Sequence, residues 1–273
     1  MPQDLLERVQ TLLPTLGLGR LAGRLADLLP PDPPRRTAAL EILEILLQDE
    51  GNHRSESRIQ RRVKESRLPD FPSLESFDFG FQPSMDRAMV LDLATLAWVD
   101  RKEDLVVIGQ SGVGKSHIGK ALCLIGCRQQ RRVLYTTCAG LLADLFASLA
   151  DGSLRERMKR YTAPCLLLVD DLGYDPIEQE QAREAQLLYK VLEARHQKAS
   201  TIITSNLPAD KWADYLGNHY LTVALLDRIL YHGSVLTIEG PSYRLAAHRQ
   251  RQQARAKERK GAAEPAASID QPS

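Results

Sequence analysis

The sequence is short of aromatic residues, which make up 5% of it, of cysteine, with four, and of net charge, with 36 Lys and Arg against 35 Asp and Glu. A formal charge of +1 argues against a uniformly basic coat for nucleic acid but leaves room for local basic patches. The cysteines supply no metal half-site. Cys123 and Cys127 lie one helical turn apart, Cys138 and Cys165 stand alone, and no C-x-x-C occurs. Zinc needs four converging ligands, so the expected role is that of small buried hydrophobes in a reducing compartment. No run approaches the roughly 20 apolar residues of a bilayer span. The start, Met1-Pro2-Gln3-Asp4, lacks the basic and apolar regions of a secretory signal. These absences predict a cytoplasmic protein with no membrane partner. A hydrophobic content of 43% over 273 residues is that of a folded chain of one or two domains.

What is present falls into three textures. Residues 1–82 read as a helical N-terminal domain with a basic stretch. Leu5, Leu6, Val9, Leu12 and Leu13, then Leu21, Leu25 and Leu28, recur at helical spacing. Pro30, Pro31, Pro33 and Pro34 interrupt the pattern, and a second helix is expected over 37–48. Arg54, Arg58, Arg61, Arg62, Lys64 and Arg67 follow, among only two acids, Glu56 and Glu65. Phe77, Phe79 and Phe81 alternate, as in an extended segment with one face on a core. Phe77, Phe79, Phe81, Trp98 and Trp212 are read as packing residues.

Residues 83–246 have an α/β texture. A helix over 84–99 leads into a buried-type strand at 105–108. Further strands are expected at 133–136, 165–169, 201–204 and 235–238. Helices are expected at 115–129, 139–150, 153–161, 178–197 and 219–231. Ser153 and Glu156 have capping-box spacing. This alternation implies a parallel sheet covered by helices on both faces. Residues 247–273 are basic through Arg249, Arg251, Arg255, Lys257, Arg259 and Lys260 and then rich in Pro, Ala and Ser. They read as a frayed helix running into a disordered tail.

The chemistry begins at Gly109-Gln110-Ser111-Gly112-Val113-Gly114-Lys115-Ser116, followed by His117. It matches G-x-x-x-x-G-K-[ST] between an expected strand and an expected helix. Glycines let backbone N–H groups curl around a phosphate, and the helix N-terminus adds partial positive charge. Lys115 is expected to reach the β and γ phosphates, and the Ser116 hydroxyl to ligate Mg²⁺. Cys165-Leu166-Leu167-Leu168-Val169 then delivers Asp170 and Asp171 at a strand's carboxyl end. Asp170 suits the metal, and Asp171 suits polarising the attacking water. The strand Thr201-Ile202-Ile203-Thr204 leads to Ser205-Asn206, where Asn206 can orient that water.

The ordered set GQSGVGKSH, LLLVDDLGY, STIITSN, LLDRILYH and GPSYRL, with FDFGFQPSMDRAMVLDLATL before it, resembles the IstB-like ATP-binding proteins. These are AAA+ ATPases that assist transposition by insertion sequences and are similar to the DnaC helicase loaders. The resemblance spans roughly residues 68–246. It implies an α/β P-loop AAA+ core with a parallel sheet flanked by helices, a small helical domain before it, and a reduced or absent C-terminal lid. It implies ATP and Mg²⁺ as cofactors. Asp171 stands where many AAA+ proteins carry a catalytic Glu and is one methylene shorter. Asn206 matches the first sensor, Arg228 the arginine finger that completes a neighbour's site, and Arg244 falls near a second sensor. The implied partners are double-stranded DNA, the transposase of the same element and further copies of the chain.

On a helix, Arg54, Arg58, Arg61 and Arg62 would share one face, suited to phosphate contacts without base readout. The tail arginines are a second candidate. The rival readings are a loader for the replicative helicase and an ATP-gated scaffold that binds but does not hydrolyse. A small-molecule P-loop kinase leaves Asn206 and Arg228 without a role.

Overall fold

Pro33 and Pro34 begin a helix instead of breaking one. In the computed structural model, which describes residues 2–173 and 181–262, the first unit is residues 1–64. Its helices are α1 (Pro2–Thr15), α2 (Gly19–Ala22), α3 (Leu25–Leu28) and α4 (Pro33–Ser66). Both prolines sit in the first turn of α4, where the missing N–H costs nothing. Asp32 accepts the Arg35 N–H at 3.3 Å. The expected helix over 37–48 therefore extends to 34 residues, since nothing in its polar second half stops it before Arg67, whose φ is 60°. Leu5, Val9, Leu13, Leu16, Leu25, Leu40 and Leu47 form the core of this unit. Arg8 ties α1 to α4 through Glu44 at 2.7 Å.

The second unit begins at Glu65, whereas composition placed the change of texture near residue 82. The intervening segment belongs to it by contact. The His117 ring lies 2.8 Å from the Ser73 carbonyl, and the Gln82 amide donates to the Pro241 carbonyl at 2.8 Å. Phe77, Phe79 and Phe81 are half-buried and alternate with exposed Asp78 and Gly80. They do so along turns and not along the expected extended segment, because Asp78 Oδ1 accepts the Phe81 N–H at 3.0 Å.

The strands are β1 (Asp104–Gly109), β2 (Val133–Thr137), β3 (Leu166–Leu172), β4 (Ser200–Ser205) and β5 (Gly233–Ile238). They pair in parallel in the order β2-β3-β4-β1-β5. Burial on both faces explains why these segments are near-continuous apolar runs: Leu166 to Val169 are all 0% exposed.

The surrounding helices are α5 (Arg87–Ala94), α6 (Ala97–Asp100), α7 (Lys115–Arg128), α8 (Cys138–Asp151), α9 (Leu154–Thr162), α10 (Gln181–Arg195), α11 (Trp212–Leu216), α12 (His219–Tyr231) and α13 (Tyr243–Ala262). The helix expected over 84–99 is split, with Leu96 at φ 58° between α5 and α6. It starts at Arg87, capped by Asp86, which accepts from Met89 N at 3.0 Å. The capping box at Ser153 does not form. Its hydroxyl donates to Asp151 at 2.5 Å, and no side-chain cap bond is made. Residues 178–180 of the expected helix before Arg195, and residues 263–273, lie outside the described residues. Trp98, Trp212, Cys123, Cys127 and Cys138 are buried, and Cys165 is partly so. Among the described residues no helix is long and apolar enough to cross a membrane.

At the amino end of the sheet, Arg195 is buried to 1% exposure. It donates to Thr201 Oγ1 and to the carbonyls of Tyr161, Pro164 and Ser200. Asp104 accepts the Thr201 N–H at 2.7 Å beside it.

Candidate nucleotide site

A cleft of about 650 Å³ lies over the carboxyl ends of β1, β3 and β4, where open parallel sheets bind ligands. Its floor is the loop between β1 and α7. Gly112 has φ 84° and Gly114 φ 106°, a region that side chains rarely adopt. A Cβ on Gly112 would fall 2.1 Å from Ser242 Oγ, and one on Gly114 2.5 Å from Phe77 Cε2. Gly109 ends β1 beside Ile238. Ser111, Gly112, Val113, Gly114, Lys115, Ser116 and His117 all line the cleft. Gly109 does not, and Gln110 acts from behind it: its carbonyl accepts from Lys115 Nζ at 2.9 Å. Lys115 is 6% exposed, and burial lowers its pKa against the pull of Asp171 and Asp170.

Asp170 and Asp171 enter from β3. Asp170 is 2% exposed and accepts from the Thr204 hydroxyl and, at 3.4 Å, from the Tyr135 hydroxyl. Asp171 has φ 61°, and its N–H donates to Thr204 Oγ1 at 2.9 Å. Loss of solvent around its carboxyl, then the charge of Asp170, raise its pKa, while Lys115 and Arg244 oppose the rise. Asn206 follows β4 into the cleft, and its Oδ1 is buried with no hydrogen-bond partner among the described residues. Arg244, in the first turn of α13, is exposed and lines the same cleft.

Arg228 is elsewhere. On α12 it donates to the Ala224 carbonyl at 3.0 Å, lies 3.9 Å from Glu193, and stacks over Tyr189 at 5.2 Å.

The cleft also contains residues that sequence reasoning did not select. Tyr135 reaches Asp170, Phe77 abuts Gly114, and Lys120 pairs with Asp70 at 2.8 Å, while Thr204, buried behind the cleft, holds Asp170 from below. Tyr243 donates its N–H to the Gly112 carbonyl at 2.9 Å. The S-N at 205–206 drew attention to the end of β4, but nothing in the motif distinguishes Thr204 from a buried strand threonine. The residues present fit a magnesium nucleotide. The loop's glycines hold its backbone at positive φ with no room for a side chain against Ser242 and Phe77, Asn206 offers an unmet acceptor, and Ser116 with Asp170 provides the all-oxygen donors a hard cation prefers.

The family model described as IstB-like ATP binding protein matches residues 11–254. An insertion sequence IS21 protein of Pseudomonas aeruginosa is 36% identical over 245 residues, covering 90% of this chain and 91% of that one. An insertion sequence IS232 protein of Bacillus thuringiensis subsp. berliner is 31% identical over 242 residues, covering 89% and 96%. Among solved structures, domain III of the Thermotoga maritima replication initiation protein DnaA superposes with a TM-score of 0.53 at 23% identity, over 64% of this chain and 69% of that one. The replication initiator DnaA bound to AMPPCP and single-stranded DNA gives 0.51 at 19% identity, over 64% of this chain and about half, 51%, of that one. At these identities the structures speak for the fold alone.

Proposed function

We propose, for a chain that belongs to the IstB-like ATP-binding protein family and carries an AAA+ P-loop core, that it hydrolyses ATP as an oligomer on duplex DNA and delivers that DNA to the transposase of its insertion element. The observation that carries this reading is the meeting of the glycine loop, both acids of β3 and Asn206 in one cleft. Loop N–H groups and Lys115 bind the phosphates. Ser116 and Asp170 would hold Mg²⁺, which neutralises charge on the β and γ phosphates. Asp171, its basicity raised by its surroundings, takes the polarising position for water, and Asn206, lining the same cleft, orients that water. Arg228 lies outside its own cleft, which suits an arginine that completes a neighbour's site.

The DNA and transposase parts draw on the insertion-sequence relatives and on the basic second half of α4. There Arg58 and Lys64 are exposed, while Arg54 is engaged by Glu50 at 2.5 Å and the Leu16 carbonyl at 2.7 Å. DNA affinity is therefore expected to fall steeply with salt and to show little sequence preference. A cytoplasmic location follows from that role. The decisive experiment measures phosphate release with and without duplex DNA, with assembly size in parallel. Turnover stimulated by DNA in an ATP-dependent assembly is the expected result. Tight ATP binding with no turnover under either condition would replace the ATPase by an ATP-gated scaffold.

A further inference from the structure

Neighbouring residues of a strand point to opposite faces of its sheet, yet Asp170 and Asp171 both line one cleft. The strand register explains how. Val169 pairs with Ile203 and Leu172 with Ser205, so the two acids together stand opposite the single residue Thr204. This is a β-bulge, in which the extra residue ordinarily leaves the ladder unpaired. Asp171 is that residue, and it adopts φ 61°, which is unfavourable for a side-chain-bearing residue. Its N–H nevertheless finds a partner in Thr204 Oγ1 at 2.9 Å. The same hydroxyl sends its own proton to Asp170 Oδ1. A hydroxyl can accept and donate through one atom, which a methyl cannot. Thr204 is 0% exposed, so water is no substitute for either bond.

We propose that Thr204 is the positioning residue of this site, its hydroxyl fixing the bulge that sets the two carboxylates side by side. The inference rests on the reading of Asp170 as the Mg²⁺-holding acid. Thr204 does not touch the nucleotide. It acts through Asp170, whose other oxygen is left facing Tyr135 at 3.4 Å and the cleft.

The test uses the full chain with Thr204→Val, which keeps the shape and removes the hydroxyl, and Thr204→Ser, which keeps the hydroxyl. ATP affinity is measured with and without Mg²⁺. Valine should leave the Mg²⁺-free affinity unchanged, because the phosphate loop is untouched, and should cut the enhancement by Mg²⁺ about tenfold, the usual scale for losing a partner of a metal-binding carboxylate. Serine should restore the enhancement, which a merely structural role would not require. Amide hydrogen exchange of Asp171 in the unmodified protein is the second measurement, and it decides the matter if the valine variant does not fold. A protected Asp171 amide supports the bond, and one exchanging at the unprotected rate overturns the proposal. A Mg²⁺ response that survives Thr204→Val overturns the role of Thr204 alone. An unmodified protein whose ATP affinity ignores Mg²⁺ overturns the assignment of Asp170 beneath it.

Discussion

Asp104 shows what a single buried charge does to this fold. It sits at the entry of β1, within the field of buried Arg195, and accepts the Thr201 N–H. Burial outweighs both and pushes its carboxyl up to about 6 from 3.8. A carboxyl whose pKa is higher folded than unfolded binds more protons in the folded state between those values. Stability therefore falls as pH rises through that window, by about 3 kcal/mol at most. Asparagine at this position keeps the acceptor for Thr201 and cannot ionise. Urea unfolding at pH 4 and pH 7 should show the original chain losing stability relative to Asp104→Asn as pH rises. Parallel pH profiles for the two would remove the assignment. Nothing in the sequence marks Asp104 out, because the burial that raises its pKa, and the Thr201 bond that opposes it, come from the packed fold, Thr201 lying 97 residues away. The phosphate loop was legible for the opposite reason. Its glycines, lysine and serine are contiguous, and each acts through its own backbone or its immediate neighbours.

Among the elements, strands and helices with a one-sided or continuous apolar pattern were read within a few residues of their observed ends, as at Lys115–Arg128 and His219–Tyr231. Several misread features were decided by a second partner. Ser153 turns its hydroxyl to Asp151 and makes no cap bond, and the bulge at Asp170–Asp171 exists only in the pairing of β3 with β4. The loop between β1 and α7 is likewise held from outside, by the start of α13. Tyr243 donates to the Gly112 carbonyl, and Ser242 packs on the Gly112 Cα. Gly112→Ala combines a disfavoured φ of 84° with a contact of 2.1 Å. Rotation of the Ser242 side chain can relieve the Oγ contact, but its Cβ at 3.0 Å and the strained φ remain. A strain of one to two kcal/mol placed on the bound state would weaken ATP binding about tenfold. Nucleotide titration checks this, with circular dichroism to show that the fold is kept. Unaltered affinity would mean that the loop can rearrange freely around position 112.

At the level of the whole molecule, a net charge of +1 conceals a segregated one. The second half of α4 and the described part of α13 are basic, while Asp170 and Asp171 face the nucleotide cleft. Composition places the change of texture near residue 82, since the turns over 71–86 look like a linker, while their contacts with His117, Gly114 and Pro241 tie them to the α/β core. The position of Arg228 carries the last consequence. It is held on α12 by Ala224, Glu193 and Tyr189, outside the cleft of its own chain. Close by on the same helix, Tyr220, Val223 and Tyr231 are exposed, a surface suited to another copy of the chain. If Arg228 serves a neighbour's site, Arg228→Ala binds ATP but turns it over poorly, and Lys115→Ala fails at binding. Mixing the two should then recover activity, because a subunit with an intact loop can sit beside one with an intact arginine. Phosphate release from the mixture, compared with the sum of the separate variants, measures this complementation. A mixture no more active than that sum would place the function of Arg228 within its own chain, where its contacts with Glu193 and Tyr189 make it a surface tie between α10 and α12.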